Sequence, residues 1–260
     1  MLAIIGVGAM GEALLAGWLA AGWKPQDLRA VDPDADRLNY IEQRYGVASA
    51  SLAEATLADL LVVAVKPHLV AGVLADLSST LSPTALVVSI AAGVSLDRLA
   101  AALPEGQPVV RVMPNTPSLV GKGVSGIAAG PNATAEQTRR VVELMGAVGV
   151  SVVLPEAQLH ALTGLSGSGP AYLFLVAEAM VEAGVHQGLT RDIATRLVAG
   201  TIAGAGAMLE QSGLSATELR ERVTSPGGTT AAALRTLEER GTRAAFLAAV
   251  ESCVQRSTEL

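Results

Sequence analysis

Three glycines open the chain's chemistry. In Gly6-Val7-Gly8-Ala9-Met10-Gly11 they occupy the spacing G-x-G-x-x-G, directly after the apolar run Leu2–Ile5 and before an amphipathic stretch. Gly6 permits a tight turn, Gly8 lets backbone approach a pyrophosphate, and Gly11 lets a helix pack closely on a strand. The helix that starts there offers free N–H groups and a positive dipole end to phosphates. The pattern alone is weak, but strand, turn and helix are all in register, so Gly6, Val7, Gly8, Ala9, Met10 and Gly11 read as a dinucleotide cradle. Asp32 ends the second apolar run, where an acid bonds the adenine ribose and repels a 2′-phosphate. That favours NADH and leaves NADPH as the alternative, with Arg37 one turn further on able to compensate. Asp32 and Asp34 also suit a plain helix start.

The same edge logic reaches other short segments. Val65-Lys66-Pro67 ends the third apolar run, Ala91-Ala92-Gly93 follows the fourth, and Met113-Pro114-Asn115-Thr116-Pro117 follows the fifth. Ligands of open α/β sheets sit at such carboxyl edges, so Val65, Lys66, Pro67, Ala91, Ala92, Gly93 and Asn115 join the candidate cofactor contacts. In the second half, Thr163–Pro170 and Ser225–Thr230 are rich in glycine and each precedes a helical stretch. A Gly-Gly turn into a helix exposes several N–H groups together, a seat for a carboxylate that needs no basic side chain. One such segment is ordinarily an interhelical turn; two beside a dinucleotide half point to a small anionic substrate.

The elements that must hold these residues follow from periodicity. Leu2–Ile5, Leu28–Val31, Leu60–Val65, Ala85–Ile90 and Val109–Val112 read as strands, with further strands near Val124–Ala128 and Val150–Leu154. The first five are nearly continuous in apolar residues, which suits parallel strands covered on both faces. Helices lie between them at Glu12–Ala21, Asp34–Tyr45, Leu52–Ala58, Leu69–Leu77, Leu96–Leu103 and Ala135–Gly146, with Ser95 as an N-cap and Thr134 with Gln137 as a capping box. This alternation defines an α/β, doubly wound N-terminal domain. After about Pro155 strand-like runs stop, and Ala171–Ala183, Arg191–Gln211, Ala216–Val223, Thr230–Arg240 and Arg243–Gln255 read as helices. The expected division is residues 1–155 for the dinucleotide and residues 156–260 for an all-helical substrate and dimerisation domain. Ala199, Gly200, Ala203, Gly204 and Ala207 form a stripe without bulk on one helix. A second helix can cross closely there, which suits a homodimer.

Composition narrows the classes. The 260 residues carry a formal net charge of −6, against nucleic-acid binding, which needs a basic face. A single cysteine, Cys253, excludes an internal disulfide, and the three histidines are too scattered for a metal set. No apolar stretch approaches the roughly 20 residues of a membrane span, and the expected setting is cytoplasmic.

With these residues in view, the chain resembles the pyrroline-5-carboxylate reductase family. The resemblance is carried by Gly6–Gly11, Ala64–Pro67, Ser89–Val94, Arg111–Pro117, Leu165–Tyr172 and Ser225–Thr230, spread in order over nearly the whole chain. It implies a Rossmann domain, a helical dimerisation domain, and assembly as a homodimer or a decamer of five dimers. The implied activity is reduction of 1-pyrroline-5-carboxylate to L-proline by NAD(P)H. Carried over by motif, Ser225, Gly228, Thr229 and Thr230 hold the substrate carboxylate, with Thr230 also placed at the ring nitrogen as the catalytic residue. Glu156 and Thr163 match positions near the substrate. Asp32 departs from the family's usual adenosine-phosphate pocket, and Ser51 stands where an Asn is common. Two rivals remain: a β-hydroxyacid dehydrogenase, which needs a lysine on a later helix although none follows Lys122, and a non-enzymatic NAD(P) sensor.

Overall fold

A computed structural model describes residues 1–259. Packing divides the chain into two compact units: Met1–Ser168 with the chain from Cys253 onward, and Gly169–Ser252.

The first unit is an α/β domain. Its strands are β1 (Leu2–Ile5), β2 (Leu28–Val31), β3 (Leu60–Val63), β4 (Leu86–Ser89), β5 (Val109–Met113), β6 (Gly123–Ala129) and β7 (Gly149–Val153). They form one sheet in the order β2-β1-β3-β4-β5-β6-β7. The helices between them are α1 (Ala9–Ala20), α2 (Ala35–Tyr45), α3 (Leu52–Ala55), α4 (Pro67–Ser78), α5 (Leu96–Ala101) and α6 (Ala135–Gly146), with the short α7 (Leu159–Leu162) beyond β7. β1 to β5 are parallel, and their register pairs Ile5 with Val31 and with Val63, and Val63 with Ser89. Four carboxyl ends are therefore level, which sets Gly6, Asp32, Ala64 and Ile90 along a single edge.

Apolar layers cover both faces of this part of the sheet. One gathers Leu14, Trp18, Ile41 and Leu144 over Ile4, Val62 and Val88; the other gathers Leu74, Leu77 and Leu99 over Leu61, Val63 and Val87. Burying each such side chain is worth about 1.5–3 kcal/mol. Trp18 is fully buried, and its indole N–H donates to the Leu144 carbonyl at 3.0 Å, so its polar atom stays bonded. The predicted caps form: Ser95 accepts from the Arg98 N–H, and Thr134 with Gln137 close a reciprocal box.

Two features go beyond the sequence reading and one differs from it. β6 runs antiparallel to β5, because residues 114–122 are too few for the dozen or more that a parallel crossover needs. β7, at the sheet's edge, leaves Val150, Val152 and Val153 exposed. Residues 163–167, expected as a glycine-rich turn, are instead a π-helical turn between α7 and α8 (Gly169–His186). The Ser168 N–H donates to the Thr163 carbonyl at 2.8 Å, the hydroxyls of Thr163 and Ser166 donate to Leu159 and Leu162, and glycine's small size tolerates the widened turn.

The second unit is helical: α8, α9 (Arg191–Gln211), α10 (Ala216–Arg222), α11 (Thr229–Glu239) and α12 (Thr242–Thr258), whose last turns belong to the first unit. Its buried core is small, centred on Val181, Ala194 and Val198. α8 and α9 approach closely where a β-carbon on Gly184 would lie 3.2 Å from that of Ala194. Outside that core, Phe174 is 68% exposed and Leu247 73%. Among the described residues no helix is long and apolar enough to cross a membrane.

Candidate functional site

The first candidate site grows from the turn after β1. Gly6 has φ +93°, a backbone state that side chains resist, and a β-carbon there would press within 2.8 Å of the Ala64 carbonyl oxygen. A β-carbon on Gly11 would run into the Gly6 carbonyl, so the first turn of α1 lies against the loop. Gly8 is different: it is exposed, and a β-carbon would meet nothing within 4 Å. It caps α1, whose first main-chain hydrogen bond runs from Glu12 N–H to the Gly8 carbonyl at 2.9 Å. The N–H groups of Ala9, Met10 and Gly11 precede that bond and point from a helix N-terminus with no acceptor in the helix. An open glycine beside such donors has the form of an anion cradle, and a dinucleotide's pyrophosphate fits it.

Asp32 joins this loop to the sheet edge. Its Oδ2 accepts from the Val7 N–H at 2.9 Å, and its Oδ1 accepts from the Asp34 N–H at 3.1 Å. Beside it lies a cleft of about 510 Å³ lined by Gly6, Asp32, Ser51, Leu52, Val65 and Asp76, among others. Ser51 also caps α3, in a reciprocal box with Glu54 that the sequence reading missed. The hydrogen bonds from the Ser51 backbone and hydroxyl hold the Glu54 carboxyl below its ordinary range. Arg37, expected as able to compensate for a 2′-phosphate, is engaged: it forms an ion pair with Glu12, and its Nε donates to the Val7 carbonyl at 2.5 Å.

Further along the edge, exposed Lys66 caps α4 with backbone alone, and Pro67 opens that helix, where its missing N–H costs nothing. Ala91 is buried, Ala92 is exposed, and Gly93 turns with φ +76°. Asn115 is a different matter. Its amide is turned inward: Nδ2 donates to the Ser166 carbonyl at 2.9 Å and Oδ1 accepts from the Val124 N–H at 2.8 Å. It ties the end of β5 to β6 and to the π turn. Glu156 is likewise committed within the first unit, its Oε1 accepting from Arg111 at 2.9 Å and from the Leu96 N–H at 2.7 Å. It thereby caps α5 and neutralises a buried guanidinium. Thr163 lies inside the helical run, its hydroxyl spent on the Leu159 carbonyl.

The second candidate site lies in the helical unit. Ser225-Pro226-Gly227-Gly228 turns into α11 through Gly227 at φ +68°, and the Gly228 N–H donates to the Ser225 carbonyl at 3.0 Å. Gly228 caps α11 without a side chain, and a β-carbon there would strike the Ser225 hydroxyl. The first intrahelical acceptor, the Gly228 carbonyl, takes the Ala232 N–H, which leaves the N–H groups of Thr229, Thr230 and Ala231 ahead of the ladder. Thr229 is exposed and Thr230 half-buried. Of the two glycine-rich segments, this one presents free donors; the one at 163–170 has turned its N–H groups into helix.

Comparison with known proteins places this arrangement. Residues 156–260 match the family model for pyrroline-5-carboxylate reductase dimerisation, and residues 1–93 match NADP oxidoreductase, coenzyme F420-dependent. A pyrroline-5-carboxylate reductase of Mycobacterium tuberculosis is 46% identical, with all of this chain and 96% of that protein covered. One from Corynebacterium melassecola is 43% identical, covering all of this chain and 98% of that one. Among solved structures, the Coxiella burnetii pyrroline-5-carboxylate reductase superposes with a TM-score of 0.96 at 36% identity, over 99% of this chain and 97% of that one. A Plasmodium falciparum pyrroline carboxylate reductase solved with NADP bound gives 0.86 at 31% identity, over 98% and 96%. Likeness of this degree, running through both units from end to end, means that the chain belongs to the pyrroline-5-carboxylate reductase family.

Proposed function

We propose that this protein reduces 1-pyrroline-5-carboxylate to L-proline with NAD(P)H, the last step of proline synthesis. The observation that carries the reading is the α11 N-terminus: three main-chain donors and two threonine hydroxyls gathered at a glycine turn, a seat for one small carboxylate. NAD(P)H supplies a hydride when bound. Gly6 to Gly11 hold its pyrophosphate, Asp32 the adenine ribose, and Val65, Lys66, Pro67, Ala91, Ala92 and Gly93 line its path along the sheet edge. Ser225, Gly228, Thr229 and Thr230 fix the substrate carboxylate and so aim the imine carbon; Thr230 Oγ1 hydrogen-bonds the ring nitrogen as it becomes an amine. Positioning of this kind is worth about 7–11 kcal/mol. The imine is taken in its protonated form, which leaves the protein no strong general acid to supply.

Glu156 and Asn115 act at one remove in this reading, through the contacts that shape the edge. Residues 1–155 serve the dinucleotide and residues 156–260 the substrate and the subunit partner, which agrees with the dimerisation match at 156–260. The assembly is a homodimer, further gathered as a decamer of five dimers, in the cytoplasm. Asp32 sets NADH ahead of NADPH.

Cofactor oxidation followed with pyrroline-5-carboxylate, then cofactor reduction with a 3-hydroxy acid, tests the reading. Turnover only with the imine is the expected result. Turnover with the hydroxy acid would favour a β-hydroxyacid dehydrogenase, and binding of NAD(P)H without turnover would favour a sensor.

A further inference from the structure

Glu12 lies outside the glycine fingerprint, in the first turn of α1. Its carboxylate gathers three donors: Arg37 on Oε2, and the hydroxyls of Tyr45 at 2.7 Å and Tyr40 at 3.2 Å on Oε1. Arg37 is held by two further contacts and is largely shielded from water. Its Nε donates to the Val7 carbonyl, its plane lies 5.0 Å from the Tyr40 ring, and its side chain is 25% exposed against 19% for Glu12. We propose that Glu12 is a cofactor-specificity residue: by holding Arg37 it withdraws the cation beside the phosphate loop that a 2′-phosphate would use, and so sets the protein for NADH.

The inference rests on reading Gly6–Gly11 as the dinucleotide cradle, which the open Gly8 and the unpaired donors of α1 fit. Discrimination between the two nucleotides falls to whatever charge meets the ribose 2′-position, an acid for the hydroxyl or an arginine for the phosphate. On one side stands Asp32, pinned through both oxygens by the N–H groups of Val7 and Asp34 and so unable to turn away. The adjoining cleft also carries Asp76 and, among the described residues that line it, no lysine or arginine. On the other side stands Arg37, the right type of residue in a usable place. To reach a phosphate it would leave a carboxylate, a carbonyl and an aromatic face, and would leave the half-buried Glu12 with only the two tyrosine hydroxyls and the more distant Arg44, 4.0 Å away, which is costly. The pair also explains why an acid is tolerated one residue past the cradle: Arg37 cancels a charge that would otherwise oppose the pyrophosphate.

Titration of NADH and NADPH by nicotinamide fluorescence on the parent, Glu12→Gln, Arg37→Met and the double variant tests this. In Glu12→Gln the ratio of NADPH to NADH dissociation constants falls about tenfold, the size of one new charge-assisted hydrogen bond. That shift shrinks with added salt and vanishes in the double variant. Arg37→Met alone leaves the ratio as in the parent, because the cation was already withdrawn. A Glu12→Gln ratio unchanged from the parent, or an Arg37→Met ratio raised tenfold, would overturn the inference. If Glu12→Gln does not fold by circular dichroism, Glu12→Asp, one methylene shorter, shifts the ratio the same way in part, and no shift there overturns it equally. A parent that binds neither nucleotide would sink the dinucleotide reading, and the inference with it.

Discussion

Thr230 is half-buried in the first turn of α11, behind a left-handed turn at residue 227 that favours glycine. If it meets the ring nitrogen, Thr230→Ala lowers kcat/KM about tenfold, the cost of one hydrogen bond to a charged group, while Thr230→Ser keeps most of it. Steady-state kinetics on the two variants decide this, and an alanine variant with parental kinetics removes the role. If Asp32 meets the ribose, Asp32→Ser raises the ratio of kcat/KM for NADPH over NADH about tenfold, on the scale of a charge-assisted contact. A ratio that stays put would refute the acid's part in cofactor choice. The residue scale is also where sequence is least explicit. The glycine spacing announces the cradle because backbone sterics leave few substitutes. Glu12 announces nothing, since its partners Arg37, Tyr40 and Tyr45 lie 25, 28 and 33 positions away and meet it only through the packing of α1 against α2.

At the scale of elements, Asn115 and Glu156 change character. Both were expected at the site, and the side-chain contacts in the structure show them bracing neighbours: Asn115 joins β5, β6 and the π turn, and Glu156 joins α5 to Arg111. Asn115→Leu leaves the Val124 N–H and the Ser166 carbonyl without their partner, costing about 2 kcal/mol and lowering Tm by about 4–8 °C in thermal unfolding. An unchanged Tm would return Asn115 to a pure binding role. The Glu12–Arg37 clamp between α1 and α2 carries a pH signature. Burial raises the Glu12 carboxyl, but hydrogen bonds from Arg37 and Tyr45 and the Arg37 charge outweigh it, and the group ends below its ordinary 4.5. Its contribution is therefore complete above that ordinary value and is lost as pH falls through the lower folded one. Thermal melts from neutral to acid pH show Tm falling over that window, and Glu12→Gln flattens the fall; parallel curves for the two would contradict it. Strands and most helices could be read from periodicity because a buried strand and an amphipathic helix each impose a repeat. The antiparallel β6 could not, since direction depends on connection length rather than composition. The π turn could not either: glycine and serine speak for a loop locally, and only hydroxyl-to-carbonyl bonds reached by folding make it helix.

For the molecule as a whole, the helical unit is unfinished on its own. Its core is three buried residues deep, and large apolar side chains from Leu173 to Leu247 stand in the open. Exposed patches of this kind mark contact with another chain, and the family match to a dimerisation region fits that need. The small-residue stripe sharpens the point, since β-carbons added to Gly200 or Gly204 meet nothing within 4 Å in the single chain. Gly204→Leu is thus harmless to the monomer's own packing and costs about 1–3 kcal/mol wherever a second helix crosses. Sedimentation velocity then finds weakened dimers, and a variant that sediments like the parent puts the stripe outside the interface. The chain's path has a practical corollary. Because the polypeptide comes back from the helical unit to finish the first one, His160 meets Ser257 at 3.0 Å and Ser168 meets Cys253 at 3.2 Å, across 97 and 85 positions of chain. A gene cut after codon 168 strips the first unit of its own last stitches, so a fragment built to isolate it must graft that returning tail back on.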